Sequence, residues 1–415
     1  MAHLIIIINI ILIKIIAILL SNFRPSKEAA AASYNYINVV SSNYGARGDG
    51  RTDSSQAFLK AWGAACSSAE PSLIYIPDGH FLINSSLTFK GPCKNRINIR
   101  ILGTLFAPTD FRALAATHSW ILFIQVNRIT LTGGGTLDAK AAAFWACRRN
   151  TTSSSSSCPA SGARSLTFNW ANDIVIDGLK SMNSQFMHLV INSCNNVMVR
   201  NLRILAPDES PNTDGIHVQH STGVTISTCT IRTGDDCISV GPNTKNLWME
   251  RIQCGPGHGV SIGSLARDYS EGGVQNVTLT NSVFTASENG LRIKTWARPT
   301  TAFVKNIHYR NIVMKNVHNP IIIDQDYCPN NQACPGQSSS GVKISDITYQ
   351  NIKGTSATPV AVLFKCSKSN PCRGIKLQDI SLSYMNRPAQ SSCLNTNHGS
   401  SLRVVSPKSC LPVSE

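Results

Sequence analysis

The sequence predicts an all-β, single-domain right-handed parallel β-helix, closed at its N-terminal end by one capping helix. Three observations predict it. Short apolar alternations return along the chain at a spacing of roughly 22 to 30 residues. Gly, Asn, Ser and Thr punctuate every unit. Long helical periodicity is absent, so strands follow strands without helices between them. A β-propeller or sandwich is the rival, but propeller blades of about 40 to 50 residues fit this spacing worse.

The chain has 415 residues. It opens on "MAHLIIIINIILIKIIAILL", a short apolar run interrupted by Lys14 and followed by polar residues and "EAAAAS". Small residues there suit signal-peptidase cleavage near Ala32, so residues 1–32 read as a signal peptide and 33–415 as one β-helix. An uncleaved anchor is the alternative; no second apolar stretch is long enough to span a bilayer. Charged residues make up only 15% of the chain, which excludes disorder by composition. The net charge is +15, and losing the leader brings it to about +13. So basic a chain favours an anionic partner, whether nucleic acid, acidic membrane or acidic polysaccharide.

The best helix lies in "TDSSQAFLKAWGAAC", with Asp53 as its cap, Gln56 three residues on, and Ala57, Ala61, Trp62 and Ala65 as its apolar face. A solenoid end exposes apolar coil, and a helix of this kind covers it. "RRNTTSSSSSCPASGAR" reads as a surface loop. From about Ser165 the repeats run "NDIVIDGL", "NNVMVRNL", "TGVTISTC", "KNLWMERI", "QNVTLTNS", "KNIHYRNI", "GVKISDIT" and "RGIKLQDI". Each unit carries a second strand, such as "GIHVQ", "CISVG", "GVSIG", "GLRIKT" and "PIIIDQ".

Fourteen cysteines agree with export and disulfides. Plausible local pairs are Cys366 with Cys372, Cys393 with Cys410, and Cys328 with Cys334. No CxxC pair and no His at ligand spacing supports a zinc site. Asn84, Asn150 and Asn276 begin glycosylation sequons.

The second strands align on Ile216, Ile238, Val260, Leu291 and Ile321. Aligned residues of neighbouring coils stack about 4.8 Å apart. Two places upstream stand Asp214, Asp236, His258, Asn289 and Asn319. One place downstream stand His217, Ser239, Ser261, Arg292 and Ile322; three places downstream, Gln219, Gly241, Gly263, Lys294 and Asp324. Side chains alternate along a strand, so Arg292 and Lys294 point away from the core that Ile293 enters. Asp235 joins from the turn. Each residue has a plain structural explanation alone: Asp214 in "NTDG" as a turn residue, His258 in "GPGHG" as turn filler, Arg292 as a solvated charge. Independent turn residues have no reason to gather three carboxylates, an imidazole and two cations on one face.

Breaking a glycosidic bond needs one protonated carboxyl for the leaving oxygen and a second carboxylate to activate water or attack. Crowded carboxylates raise one another's pKa and keep one protonated. An inverting pair is expected at roughly 6.5 to 9.5 Å. The cations offer a seat for a sugar carboxylate.

"SPNTDGIHV", "TGDDCISVG", "CGPGHGVSIGS" and "ENGLRIKTW" resemble the four signature segments of polygalacturonases, glycoside hydrolase family 28. "GARGDGRTDSSQAF", "NPIIIDQDYCP" and "KGTSATPV" resemble further segments of plant members. The resemblance spans nearly all of the mature chain. It implies inverting hydrolysis of α-1,4-linked galacturonan in de-esterified pectin, by a secreted enzyme of the plant cell wall. It implies Asp235 as general acid, Asp214 and Asp236 as the pair that activates water, and His258 as tuning the acid. Arg292, Lys294, Tyr327 and Asn212 become substrate-binding residues, and Cys237 pairs with Cys254. The segments lean toward exo-acting, pollen-type members; endo action is the alternative. No cofactor or metal is implied. The partner is the polysaccharide, with no nucleic acid, no membrane after leader cleavage, and a monomeric chain. A Ca²⁺-dependent pectate lyase, a rhamnogalacturonan hydrolase and a non-catalytic wall-binding protein are the rivals. The pairing of "GDDC" with "GHG", the "RIK" cations and the complete motif set speak against them in that order.

Overall fold

The computed structural model describes residues 34–114, 117–149, 158–329 and 339–412. The proposed leader, Asn150 and Cys334 lie outside the described residues. No helix among them is long and apolar enough to cross a membrane. The chain winds as a right-handed parallel β-helix. One wall is an 11-stranded sheet. Its central members are Leu189–Asn192, Ile216–Gln219, Ile238–Val240, Val260–Leu265, Asn289–Thr295 and Asn319–Asp324. The remaining strands join into one larger sheet that bends around the other sides of the coil.

The expected register holds at every pair: Ile216 faces Ile238, Ile238 faces Val260, Val260 faces Leu291, and Leu291 faces Ile321. Two rows of inward side chains follow from that alternation. Leu189, Ile216, Ile238, Val260, Leu291 and Ile321 form one; Val218, Val240, Ile262, Ile293 and Ile323 form the other, and all are buried. Each such side chain is worth roughly 1.5 to 3 kcal/mol relative to exposure, so the stacked rows hold the register.

Asparagines turn the corners. Asn246, Asn276 and Asn306 have positive φ, and so do Asn281, Asn311 and Asn351. Asn tolerates this left-handed region because its side chain bonds locally. Here those amides bond between coils: Asn276 donates to Asn246, Asn306 to Asn276, Asn311 to Asn281, and Asn351 to Asn311. The sequon asparagine Asn276 is therefore a member of a ladder, whereas Asn84 is simply exposed.

The capping helix spans Ser55–Ser67 and buries Ala57, Phe58, Ala61, Trp62 and Ala65. Trp62 packs on Phe89 and Phe123 at the end of the core. The cap position belongs to Ser54, whose side chain makes no capping bond. Asp53, one residue earlier, accepts the Ser55 N–H instead at 2.9 Å. No bond from Gln56 completes a capping box. A second helix, Ala142–Arg149, which the sequence analysis did not anticipate, runs into the first two residues of the segment expected as a Ser-rich loop. Disulfides join Cys366 to Cys372, Cys393 to Cys410 and Cys237 to Cys254, and also Cys66 to Cys93 and Cys147 to Cys158. Cys194 and Cys229 are buried free thiols, packed as small apolar side chains.

Candidate active site

The outer face of the 11-stranded sheet carries a cleft of about 870 Å³. Asn212, Asp214, Asp235, Asp236, His258, Lys294 and Tyr327 all line it. Arg292 lies beneath, 7% exposed and bonded to Asp236. The structure thus brings together every residue expected in the site.

Stacking explains the convergence. Asp214 and Asp236 precede adjacent strands, and the Gly215 N–H donates to the Asp236 carbonyl at 2.9 Å. The row just downstream supplies hydroxyls: Ser239 donates to Asp214 at 2.5 Å and Ser261 to Asp236 at 2.7 Å. Arg292 crosses this row, donating from Nε to Ser261 at 2.8 Å and from its terminal nitrogen to Asp236 Oδ1 at 2.7 Å. Lys294 donates to Asp236 Oδ2 at 2.8 Å and also lies over the Tyr327 ring. The two cations therefore already hold Asp236, in addition to any substrate contact. Gly263, on the neighbouring strand, lets the two backbones approach closely here: a Cβ there would meet the Lys294 carbonyl at 2.1 Å.

The carboxylates are driven apart electrostatically. Burial pushes Asp214 up, the charges of Asp235 and Asp236 add to it, and the group reaches about 8. Burial would raise Asp236 too, but Lys294 and then Arg292 outweigh it and hold that carboxyl well below the usual range. Burial first, and the neighbouring carboxylates after it, thus keep one carboxyl protonated, and that carboxyl is Asp214.

Asp235 is fixed differently. It accepts the Asp236 N–H at 2.7 Å and faces His258 Nδ1 at 3.1 Å; Asn212 donates to its other oxygen at 3.4 Å. His258 Nε2 meets Glu288 at 3.2 Å. Burial lowers His258, but the hydrogen bond and charge of Asp235, followed by Glu288, raise it overall.

Glu288 escaped the sequence reading. It precedes Asn289 as Asp235 precedes Asp236, so the same offset could have found it. His217 also lines the cleft, bonded to Ser239 and Gln219, and burial pulls it down to about 4. It stood in the aligned row without a role. Asp235, Asp236 and His258 place ligand atoms within 4.8 Å of one another. That also sets Asp235 and Asp236 oxygens closer than the roughly 6.5 to 9.5 Å expected of an inverting pair. The trio fits a divalent cation poorly, because two cationic side chains already occupy both oxygens of Asp236.

Residues 66–410 match glycosyl hydrolases family 28. The chain is 52% identical to a polygalacturonase of Prunus persica over 92% of its length and 95% of the relative's. It is 42% identical to a polygalacturonase of Gossypium barbadense, covering 86% of each. Among solved structures, an endo-xylogalacturonan hydrolase of Aspergillus tubingensis shares the fold at a TM-score of 0.76 and 24% identity, over 86% of this chain and 97% of that one.

Proposed function

This chain belongs to glycosyl hydrolases family 28, and on that premise we propose how its cleft residues divide the work of hydrolysis. It is a glycoside hydrolase that acts on pectin, with polygalacturonate as substrate. The observation that carries the assignment is the split between two buried carboxyls in one cleft, Asp214 held protonated and Asp236 held ionised.

Asp236 is the base. Its charge is fixed by Lys294 and Arg292, and together with Asp214 it holds the attacking water, Asp214 supplying a hydrogen bond rather than a charge. Asp235 protonates the leaving oxygen. His258, bonded to Asp235, orients that carboxyl and returns a proton to it. Lys294, with Tyr327 beside it, receives the sugar carboxylate, Asn212 contacts the sugar next to Asp235, and Arg292 braces Asp236 from below. Because water and not a carboxylate attacks, the reading gives inversion despite the short Asp235–Asp236 approach, and the anomer of the first product, read by NMR, tests it directly.

A second assignment has its own support. Asp214 is the carboxyl that its buried surroundings keep protonated, which qualifies it as the donor. An aryl galacturonide whose leaving group needs no proton separates the two. The variant lacking the acid, Asp235→Asn here, keeps activity on that substrate and loses it on polygalacturonate. If Asp214→Asn behaves so and Asp235→Asn does not, the roles exchange.

Export through a leader at residues 1–32, action at the plant cell wall as a monomer, and preference for de-esterified polymer complete the reading. The resemblance to pollen-type members favours attack from chain ends. Cleft residues on both sides of the carboxylates, from Arg164 to Tyr327, favour attack within the chain. Viscosity loss against reducing ends released distinguishes them.

A further inference from the structure

Ser239 has one hydrogen and two acceptors in reach. Its hydroxyl lies 2.5 Å from Asp214 Oδ2 and 2.7 Å from His217 Nδ1, and the residue is only 2% exposed. The register sets this up. His217 pairs with Ser239 on one neighbouring strand and with apolar Val190 on the other, so the ring finds its polar partner on one side alone.

A hydroxyl donates only once. Were Asp214 ionised, it would take the Ser239 hydrogen, and Ser239 would have none for His217. The far side of the ring decides between the acceptors. His217 Nε2 meets Gln219 Oε1 at 3.1 Å; Gln219 donates to Asn192 Oδ1 at 3.0 Å, and Asn192 to Asn169 Oδ1 at 3.0 Å. This amide ladder runs over three coils and turns the Gln219 oxygen toward the ring. Nε2 therefore carries the imidazole hydrogen, and Nδ1 is left to accept. Burial keeps the ring from taking a second proton, and the charges of Arg164 and Lys294 outlast the opposing pull of Asp236. The missing hydrogen then belongs to Asp214. With that carboxyl protonated, the same 2.5 Å contact runs the other way: Asp214 donates to Ser239, Ser239 to His217, and His217 to Gln219.

We propose that His217 is a positioning residue, whose bare Nδ1 takes the Ser239 hydroxyl and so holds the hydrogen on Asp214. This rests on the reading above, in which Asp214 serves the water as a neutral carboxyl. Losing the Asp214 proton to solvent turns the Ser239 hydrogen from His217 to the new carboxylate, and leaves the His217 nitrogen without its donor. Asp235 and Asp236 also face Asp214 and push the same way, while Lys294 opposes them. Among the described residues no side chain bonds Asp214 Oδ1, so the relay occupies one oxygen and leaves the other to the water.

The test follows the infrared carbonyl band of protonated Asp214 against pH, identified by its loss in Asp214→Asn. In the wild type the band titrates with a midpoint of about 8. His217→Phe keeps a ring but offers no acceptor. The Ser239 hydroxyl then stays on Asp214, steadies the carboxylate and lowers the midpoint by about 1 to 2 pH units. Ser239→Ala cuts the relay, and adding His217→Phe to it moves the midpoint no further. Water let in by the new ring, or a merely structural role for His217, shifts the midpoint in both backgrounds. That result overturns the inference, as does an unmoved midpoint in His217→Phe alone. ¹⁵N NMR of His217 in the wild type tests it even if the variants do not fold. At about pH 6 the ring should be neutral with its hydrogen on Nε2; a hydrogen on Nδ1, or on both nitrogens, overturns the relay. A wild type with no carbonyl band that Asp214→Asn removes instead overturns the reading of Asp214 as the protonated carboxyl.

Discussion

On the proposed assignment Lys294 serves two anions, Asp236 and the sugar carboxylate, and replacing it with Met separates what each contributes. Its ammonium lies 2.8 Å from Asp236 Oδ2, and both side chains are less than 10% exposed, so solvent and salt screen the pair little. An opposite charge at such range lowers a carboxyl by roughly 1 to 3 pH units, each unit worth about 1.36 kcal/mol. Arg292 remains on the other oxygen in Lys294→Met, so Asp236 rises by about that amount and is not released entirely. A base must be ionised to act, so raising its pKa removes activity from the acid side. The acidic limb of the kcat/KM profile should move up by about 1 to 3 units. At the wild-type optimum, the unpaired carboxylate oxygen and the lost sugar contact should together cost about 10²-fold or more. Reducing-end release from polygalacturonate across the acid range measures both, with Lys294→Arg as the control that keeps the charge. The second anion shows in the polymer: the preference for de-esterified polygalacturonate over methylated pectin should narrow in Lys294→Met. An acidic limb that stays at its wild-type position, with activity merely scaled down, refutes the claim that Lys294 sets the charge of Asp236.

The remaining expectations concern the same cleft. Asp214→Asn and Asp236→Asn should each be severe on polygalacturonate, and the double variant far less than multiplicative, because both serve one water; multiplicative losses contradict a shared water. The share of stability that Asp214 supplies should fall as pH rises. Asp214 carries a folded-state value of about 8 against an ordinary 3.8, so its contribution is full below the ordinary value and is lost as pH climbs toward 8. His258, also raised, loses its contribution in the same direction, while His217 and His188, both lowered by burial, gain theirs as pH rises. The change in apparent Tm from pH 5 to pH 8 should therefore be shifted toward higher stability at pH 8 in Asp214→Asn relative to wild type; an identical slope in both proteins rejects the buried neutral carboxyl. EDTA should leave activity intact and Ca²⁺ should add nothing specific, whereas a strict Ca²⁺ requirement would point to lyase chemistry, visible as an unsaturated, UV-absorbing product. Moderate salt should raise KM in wild type and Lys294→Met alike, by screening the +15 chain from its polyanion beyond about 8 to 10 Å.

Much of this was legible in the sequence because a β-helix reduces three dimensions to register. Once Ile216, Ile238, Val260, Leu291 and Ile321 are aligned, alternation alone places His217, Ser239, Ser261 and Arg292 in one row and Asp214 and Asp236 in another. The register gives no reach. Arg292 and Lys294 carry long, flexible side chains, and nothing in their spacing says that both extend two coils back to Asp236. Pairing of that kind is decided by which anion is buried nearest, a tertiary fact. The same limit hid the Glu288 contact to His258, since an imidazole's second nitrogen finds its partner across a turn. Helix Ala142–Arg149 was missed for another reason: eight residues give barely two turns of periodicity beside a Ser-rich stretch. Cys194 and Cys229 show that an even cysteine count does not require every thiol to pair. Their burial in the apolar core, not their number, decides their state.

The account stands most directly on Asp235. The measurement is reducing-end release from polygalacturonate by purified Asp235→Asn, with its thermal unfolding compared to the wild type's. The amide preserves size and can still meet His258 and Asn212, but it has no proton to give the leaving oxygen. The account predicts an intact fold and a loss of about 10² to 10⁴ in kcat. A folded Asp235→Asn protein that still releases reducing ends within a few-fold of the wild type contradicts it.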